Sequence, residues 1–432
     1  MRVTEKLSTA FCKDFNSSFE DVVAQFLVKS RLLPDEESLT STRFLSRSVL
    51  PHVLRLSELF NRLDIKEVEA APKGPQGLDE YWAKGSNPAN LRLAYFLYFM
   101  PSNLFRVAAI WNELLRLGYR WKTSGSLRAI DFGSGPATGM AGIAAGEAFS
   151  TERSGMPVTG NWALIEQDPA MLKLGTKWVS DFQSEFLDSE YALQWETRPF
   201  HRKIAFDQPT LLPPKSPKFH LWVMSYFLNE VSISPKQLAT ILLETWKRHL
   251  EEDGIVILVE PALKEQSRRL LEIRKEILEQ LSDDPWLKVL LPCLGHQACG
   301  ALAKPEDWCH EDVSWWRPSY FKIIDQMAEL DRKSLPFSYL VLYRGKSSIE
   351  DVLPKLKNSS PDRRRLVSPA HFEKKNWEFY VCGQDGKFKA RYRATSKDEE
   401  KTAPANRGDI LSNPHSEKED HYLRINKVDT IG

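Results

Sequence analysis

Short apolar runs alternate with amphipathic stretches through the middle of the chain, beginning at Leu127. One of the intervening stretches, residues 264–280, has Leu270, Ile273 and Ile277 at helical spacing. Alternation of strands and helices over this length predicts a mostly parallel sheet with helices on both faces. The predicted strands are residues 127–132, 162–166, 220–225, 254–259 and 337–343.

Residues 1–120 show helical periodicity instead. Ser18 precedes an acidic turn and an apolar stretch that ends near residue 27, which predicts that a helix starts at Ser18. A second helix is predicted after Pro101, with Gly118 as its C-terminal cap. The face that this helix would bury consists of Leu104, Ala108, Trp111 and Leu115.

The pattern changes again near residue 350. Residues 351–395 contain short strand-like runs and carry 11 basic against 5 acidic residues, a net charge of +6. Residues 396–432 carry 6 basic and 8 acidic residues with few large apolar side chains, which predicts a mobile tail. The predicted domains are a helical N-terminal domain (1–120), an α/β core (121–350) with a cysteine-rich insertion (291–310), a basic β-rich unit (351–395) and the tail (396–432).

Composition narrows the class of protein. The 432 residues are 42% hydrophobic and 11% aromatic, which excludes a disordered or fibrous chain and favours several domains. The net charge of +1 argues against a polybasic nucleic-acid binder, but the charge of the basic unit is compatible with RNA binding by that unit alone. The first residues lack an apolar signal segment and carry several acids, which predicts neither a signal nor a transit peptide and favours a bacterial, cytoplasmic protein. A monomer is expected, although no motif in the sequence decides the oligomeric state. The longest apolar run, residues 91–100, is too short to cross a membrane.

A glycine-rich loop, DFGSGPATG at residues 131–139, joins the first predicted strand to a helical stretch. Glycines let the backbone turn sharply and approach a ligand without an intervening Cβ. The loop departs from the dinucleotide-binding pattern Gly-x-Gly-x-x-Gly because Thr138 occupies the third glycine position. There is also no Gly-Lys-Ser/Thr sequence, so a P-loop is excluded.

Glu166 lies at the tip of the next predicted strand. An Asp-x-Gly-x-Gly loop followed by an acidic residue there resembles the class I S-adenosylmethionine (SAM) methyltransferases. The resemblance implies that Glu166 accepts the ribose hydroxyls, with Asp168 as the weaker alternative, and that the loop carries the methionine part. The implied cofactor-binding residues are Asp131, Gly133, Ser134, Gly135, Pro136, Glu166 and Ser225. The competing interpretation is a tight strand-to-helix turn with no ligand.

The acceptor side of the site is less distinctive. The third strand is followed by SYFLNE at residues 225–230, without the Asn/Asp-Pro-Pro-aromatic clamp of amino-methylating relatives. Pro292-Cys293 resembles a cytosine-C5 methyltransferase nucleophile but follows the wrong strand. Asn229 and Glu230 are therefore the predicted catalytic residues facing the substrate.

Five cysteines are too few for a disulfide scaffold. Cys12 is isolated and reads as incidental, whereas Cys293, Cys299 and Cys309 share a loop punctuated by glycine and proline, and Cys382 lies in the basic unit. Four such thiolates can hold zinc or an iron–sulfur cluster, and their spacing does not decide between them. A zinc site of three cysteines and His296 is the main rival, and His310 is also nearby in sequence. Either metal would fix the basic unit to the core.

Taken together, these motifs resemble the methyltransferase-like assembly factors of the small ribosomal subunit, a family with mitochondrial, yeast and bacterial members. The resemblance extends in order over about residues 90–390. The matching segments are AYFLYFMP (94–101), DFGSGPA (131–137), LNEV (228–231), VEP (259–261), PCLGHQAC (292–299), DWCH (307–310), FSYL (337–340) and the stretch around Cys382. The chain departs from the family pattern at Ala137, where many relatives have glycine, and at Gly300, where proline often follows the second cysteine.

The resemblance implies a SAM-binding Rossmann-like core and a four-iron, four-sulfur cluster held by Cys293, Cys299, Cys309 and Cys382. It also implies action on the small ribosomal subunit and contact with its rRNA, for which Arg363, Arg364 and Arg365 are the candidate phosphate-binding residues. Two functions follow as expectations: an rRNA methyltransferase, or an assembly factor that no longer turns over. A small-molecule methyltransferase is a distant third, because it would not need the basic unit.

Overall fold

The fold is taken from a computed structural model. Cys12 and His296 lie outside the residues that it describes. The described residues are 13–62, 88–123, 125–150, 152–186, 193–295, 298–412, 414, 416–419, 422–426 and 428–431.

The N-terminal part of the described chain is helical. The first helix begins at Lys13, earlier than the predicted start at Ser18. Gly118 has a φ of +89°, directly after a helix that ends at Arg116, and so confirms the predicted C-terminal cap. The helices are Lys13–Lys29 (α1), Thr42–Ser48 (α2), Leu50–Arg62 (α3), Pro88–Ala94 (α4), Met100–Arg116 (α5), Thr138–Phe149 (α6), Pro169–Asp181 (α7), Pro235–His249 (α8), Lys264–Gln280 (α9), Ser319–Met327 (α10), Ile349–Val352 (α11) and Lys397–Lys401 (α12).

A first sheet forms the centre of the molecule and confirms the predicted α/β class. Its order is β3-β2-β1-β4-β5-β8-β6, with β7 paired to β8. Strands β1 to β5 are parallel, and β8 is antiparallel to its neighbours. The chain order reverses between β1 and β4, the switch point at which doubly wound sheets bind ligands. The strands are Leu127–Phe132 (β1), Thr159–Glu166 (β2), Gln194–His201 (β3), Phe219–Ser225 (β4), Leu250–Pro261 (β5), Leu287–Leu291 (β6), Glu311–Ser314 (β7) and Ser334–Arg344 (β8).

Both faces of this sheet are covered, which explains why the five predicted strands read as continuous apolar runs. On β4, for example, Leu221 and Val223 belong to one core and Trp222 and Met224 to the other. The sequence did not predict β3, β6 or β7. Strand β3 is a mostly exposed edge strand with polar side chains, so it lacks the apolar signal of the central strands.

One described helical segment, Pro88–Arg116, is long and apolar enough to cross a membrane, yet 94% of its most apolar window is buried inside the protein. It comprises α4, a π-helical turn at Tyr95–Phe99 and α5. The apolar run was expected to be too short for this, but helix continues past Pro101, which sits in the first turn of α5 where its missing N–H costs little. The segment is the central core helix of the described structure.

The C-terminal part forms a second sheet, and its extent corrects the prediction of a mobile tail. Residues of the expected tail supply four strands, and Leu411, Leu423 and Ile425 are buried in the core of this sheet. Few apolar residues suffice because a strand needs to bury only alternate side chains. The order is β14-β15-β12-β11-β9-β13-β16, with β10 paired to β11. The strands are Arg364–Leu366 (β9), His371–Glu373 (β10), Asn376–Gly383 (β11), Gly386–Arg393 (β12), Ile410–Leu411 (β13), Ser416–Glu419 (β14), Tyr422–Ile425 (β15) and Thr430–Ile431 (β16).

Protein contacts attach this second sheet to the first. Lys387 Nζ on β12 lies 2.6 Å from Asp307 Oδ2 in the cysteine-rich insertion. An added Cβ on Gly300 would stand 2.7 Å from the Lys387 backbone nitrogen, so the insertion lies directly against β12. Ile410 of β13 packs into the core that includes the N-terminal helices. A metal was expected to fix the basic unit to the core, and these side-chain and backbone contacts already make part of that attachment.

Candidate cofactor and acceptor site

The glycine-rich loop turns sharply at the carboxyl end of β1. Gly133 and Gly135 have φ values of +61° and +52°, which glycine adopts without the penalty of a side chain. The Asp131 carboxylate accepts a hydrogen bond from the Gly139 N–H, 3.1 Å, in the first turn of α6. Burial raises the pKa of Asp131 to about 7. Asp131 therefore holds the loop to the helix from below.

Glu166 braces the same loop from the tip of β2. Its Oε2 accepts from the Gly135 N–H and its Oε1 from the Asp168 N–H, both at 2.9 Å. Burial raises the pKa of Glu166. A carboxylate has about four acceptor positions, so these two bonds leave capacity for ligand hydroxyls. Asp168 is engaged differently, since it caps α7 and pairs with Arg92 at 3.0 Å.

A cavity of about 860 Å³ opens above the loop at the switch point. Of the predicted cofactor residues, Gly133, Gly135, Glu166 and Ser225 line it, whereas Asp131, Ser134 and Pro136 do not. These last three lie in or under the turn, so they support the loop and do not face the cavity.

Asn229 and Glu230, the predicted catalytic residues, also line the cavity. Asn229 Oδ1 and Ser225 Oγ are buried and have no hydrogen-bond partner among the described residues. Unpaired buried oxygens cost free energy, so a polar ligand in the cavity would stabilise both. The structure brings the loop, Glu166 and these two side chains to one cavity.

Glu260, at the end of β5, is a site-supporting residue that the sequence did not single out. Its carboxylate accepts from the backbone N–H groups of Leu228, 2.8 Å, and Asn229, 3.0 Å, and so fixes the acceptor loop. Burial raises the pKa of Glu260 to about 8, although the two N–H donors oppose the rise. The neighbouring Tyr226 has a φ of +57°, a strained conformation for a side chain of this size. The only signal in the sequence was the short segment VEP.

The far wall of the cavity also comes from residues outside the predicted site. Arg106 lines it from α5, Trp308 and His310 from the segment before β7, and Arg332 from the segment before β8. Sequence reasoning could not place these residues, because they meet the loop only through the tertiary fold. Trp308 and His310 flank Cys309, so the cavity wall is continuous with the cysteine-rich insertion.

Four cysteines converge on the other side of that wall. Burial raises the pKa of the Cys309 thiol, and the charges that Cys293, Cys299 and Cys382 would carry raise it further. Burial and two of the same neighbours raise the pKa of Cys382 to about 12. The four predicted ligands are therefore neighbours, although they come from the insertion and from β11.

The thiols nevertheless do not enclose a single ion. No three His, Cys, Asp or Glu side chains among the described residues are placed to hold one metal ion. A small cavity of about 40 Å³ is bordered by Cys293, Cys309 and Cys382. His310 borders this cavity too, but its Nε2 lies 2.6 Å from Arg407 Nη1, and burial lowers its pKa to about 4.

Arg363, Arg364 and Arg365 are not exposed, which corrects the expectation that they contact RNA phosphates. They are only 4%, 3% and 3% exposed. Their guanidinium groups each lie about 2.5–2.6 Å from a carboxylate oxygen: Arg363 pairs with Glu350, Arg364 with Asp362 and Asp385, and Arg365 with Glu113. A buried, paired arginine is not free to bind phosphate. Arg364 instead forms ion pairs within the second sheet and its loops, whereas Arg363 and Arg365 join this sheet to α11 and α5.

The sequence profile of the family described as mitochondrial small ribosomal subunit Rsm22 matches residues 90–410 of the chain. The chain belongs to this family. The predicted resemblance is confirmed, and the matched Rsm22 segment includes the glycine-rich loop, most residues that line the cavity, the insertion and strands β9 to β12. Comparison with the curated proteins finds no match.

Solved methyltransferase structures show distant similarity to this Rsm22 family member. The plantazolicin methyltransferase BpumL, in complex with SAH, is 8% identical with a TM-score of 0.31, covering 68% of this chain and all (100%) of its own. The precorrin-6y C5,15-methyltransferase from Geobacter metallireducens is 14% identical with a TM-score of 0.28, covering 56% of this chain and 88% of its own. An O-methyltransferase from Bacillus cereus is 10% identical with a TM-score of 0.29, covering 62% and 97%.

Proposed function

We propose that the chain is a SAM-dependent methyltransferase that acts on the rRNA of the small ribosomal subunit. The observation that carries the proposal is the cavity at the switch point, where the braced loop and Glu166 meet Ser225 and Asn229. Membership of the small-subunit family supports the ribosomal part. The cavity continues past the loop to Trp308 and Arg332, which leaves room for an acceptor beside the cofactor.

Within this proposal each residue has a specific task. Glu166 accepts the ribose hydroxyls with the lone pairs that the loop leaves free. Ser225 Oγ and Asn229 Oδ1 give their unpaired oxygens to the methionine ammonium and to the acceptor group. Methyl transfer needs chiefly alignment of the nucleophile with the methyl carbon, which the Glu260-fixed acceptor loop provides.

SAH calorimetry tests the cofactor site. Gly135→Arg should abolish binding, because its side chain enters the cavity, and Glu166→Ala should weaken binding about tenfold or more. Gly155→Arg is the matched control: Gly155 also has a positive φ, +77°, but a side chain there enters open space. Unchanged affinity in both cavity variants would refute the assigned site. Transfer itself is tested by SAM-dependent methylation of purified small-subunit particles.

A second candidate is an assembly factor that binds SAM without turnover. The absence of the Asn/Asp-Pro-Pro-aromatic clamp from residues 225–230 favours it. It predicts tight SAH binding and binding to the small subunit with no methylated nucleotide after incubation with SAM. The methylation experiment therefore separates the two candidates.

We also propose that Cys293, Cys299, Cys309 and Cys382 hold an iron–sulfur cluster of the four-iron, four-sulfur type. Burial raises the pKa of Cys309 and the charges of the other three thiols raise it further, so the four cysteines are close neighbours, and four cysteine thiolates are the usual ligands of such a cluster. Arg274, Arg365 and Lys387 lie near enough to lower the thiol pKa values, so positive charge is available to offset thiolates. When bound, the cluster would supply a structural crosslink between insertion and second sheet.

A further inference from the structure

Arg106 is a buried arginine that faces the cavity. Its side chain is on α5, the residue is 7% exposed, and it lines the cavity wall. Its Nη1 donates to Asn103 Oδ1 at 2.7 Å, and its guanidinium lies 5.4 Å from the centre of the Tyr226 ring. Its Nε is buried and has no hydrogen-bond partner in the described part of the chain.

No carboxylate among the described residues forms an ion pair with Arg106. Asp312 is the carboxylate whose charge acts on Arg106 and opposes the lowering of its pKa by burial, but it forms neither an ion pair nor a hydrogen bond with Arg106 in the described part of the chain. Asp325 accepts from Tyr98 Oη, from Arg317 Nη1 and from the Arg332 backbone N–H. Buried charges in proteins are normally paired, because a charge loses its favourable hydration when it leaves water. Burial accordingly lowers the pKa of Arg106.

A second cation, Arg332, adds to this cost. It also lines the cavity, and its guanidinium lies 4.9 Å from the centre of the Tyr98 ring. It forms no ion pair within the described ranges, and its charge further lowers the pKa of Arg106. The two guanidinium groups share one wall of the cavity, and each contacts an aromatic ring. A bound anion would neutralise their charge.

Arg106 lies away from the glycine-rich loop and Glu166. Tyr95 touches the space beside Gly135, at 3.8 Å, and precedes Arg106 by 11 positions on the continuous helical segment. At 1.5 Å per residue this places Arg106 about 16 Å further along the helix. Arg106 therefore lies at the end of the cavity away from the loop, whereas two other lining cations, Arg202 and Lys203, follow β3 beside Glu166.

We propose that Arg106 and Arg332 form a phosphate subsite that holds the backbone phosphate next to the acceptor nucleotide of a single-stranded RNA segment. The proposal rests on the proposed function, and it names the substrate group that this end of the site binds. Guanidinium forks match phosphate oxygens in two-point contacts. The aromatic side chains of Tyr226, Phe227 and Trp308 at the same cavity provide surfaces on which unstacked bases bind.

The test uses the full chain with Arg106→Met, Arg332→Met and the control Arg116→Met. Arg116 is on the same helix and is equally buried, at 5% exposed, with an unpartnered Nε, but it does not line the cavity. The probe is a labelled 12-nucleotide oligouridylate titrated at several salt concentrations. We expect each cavity variant to lose about tenfold in affinity relative to the control, with a log–log salt slope shallower by about 0.7.

Three further arms make the outcome decisive. The affinity of Arg106→Met for SAH should stay within about twofold of that of the unaltered protein. Methylthioadenosine lacks the amino-acid part of SAH. If Arg106→Met loses affinity for SAH but not for methylthioadenosine, Arg106 binds the cofactor carboxylate and the proposal is overturned. Inorganic phosphate should compete with the RNA only at concentrations far above that of the RNA, as expected if the site binds an RNA backbone phosphate. If free phosphate binds as tightly as the RNA, the proposal is overturned. If Arg106→Met and Arg332→Met bind RNA as tightly as the control Arg116→Met, the two arginines do not contact RNA and the proposal is overturned. If the unaltered protein binds SAH but no RNA, this proposal fails alone; if it binds neither, the proposed function fails as well.

Discussion

The Arg365 guanidinium and the Glu113 carboxylate form a buried ion pair, with Nη1 2.6 Å from Oε1. Arg365 belongs to β9 of the second sheet and Glu113 to the central helix α5. Tyr339 Oη on β8 donates to Glu113 at 2.6 Å and accepts from Arg365 Nη2 at 3.0 Å. This cluster joins three parts of the molecule that are far apart in sequence.

Arg365→Met should lower the free energy of unfolding by about 3–5 kcal/mol, because it leaves the largely buried Glu113 carboxylate with the Tyr339 hydroxyl but without its cationic partner. Arg128→Met is the matched control: Arg128 Nη2 lies at the same 2.6 Å from Glu251 Oε1, but that pair is exposed. It should cost about 1 kcal/mol or less. Denaturant unfolding of both variants gives the comparison, and equal losses would contradict the role of burial.

Gly175→Ala should disturb the cofactor loop from the outside. A Cβ on Gly175 would stand 2.5 Å from the carbonyl carbon of Pro136, so α7 or the loop must move. We expect a loss of about 1–3 kcal/mol in stability and at least about tenfold in SAH affinity. Lys177→Ala, an exposed change on the same helix, should leave both unchanged. A Gly175→Ala protein that binds SAH normally would show that the loop tolerates displacement.

Glu260→Gln should change how stability depends on pH. In the folded protein the Glu260 pKa is raised from 4.5 to about 8, so between these values the folded state holds a proton that the unfolded state has lost. The stability that glutamate provides therefore falls as pH rises through this window, and glutamine escapes the loss.

The unfolding free energy of Glu260→Gln minus that of the unaltered protein should thus increase from about pH 4.5 to about pH 8, by at most about 1.4 kcal/mol per unit. Above pH 8 the difference should stay level. Urea unfolding at half-unit pH intervals measures it. A difference independent of pH would mean that Glu260 is ionised normally.

Cys382→Ser should remove the proposed cluster. Protein purified without oxygen should be brown, with about four iron atoms per chain, and the serine variant should lose the visible absorbance and most of the iron. Cys12→Ser should keep both and serves as the control. A colourless protein with one zinc per chain would refute the cluster and favour the zinc site.

The parts of the fold that the sequence predicted are those with a local signal. The central strands were identifiable because both faces are buried, as Trp222 and Val223 on opposite sides of β4 illustrate. The cofactor loop was identifiable because Gly133 and Gly135 must adopt positive φ.

The remainder depends on contacts between distant segments. Arg364 sits in a basic run that looks solvent-exposed, and its burial depends on Asp385, 21 positions away. Arg106 carries no motif and Glu260 only the short segment VEP, because the roles of both residues come from the loop and the cavity that the fold brings to them. The strands after residue 410 are short and polar enough to read as disorder until their pairing partners are known.

The burial of Pro88–Arg116 has a consequence for synthesis of the chain. Part of its cover is strand β8, which ends at Arg344, so at least 228 residues must be made after the helix before it can be enclosed. At about 5–20 residues per second this takes on the order of 10–50 s. During that time the nascent chain carries a segment with the length and composition of a membrane span and without its native cover. The yield of folded protein therefore depends on how well that segment is shielded during translation.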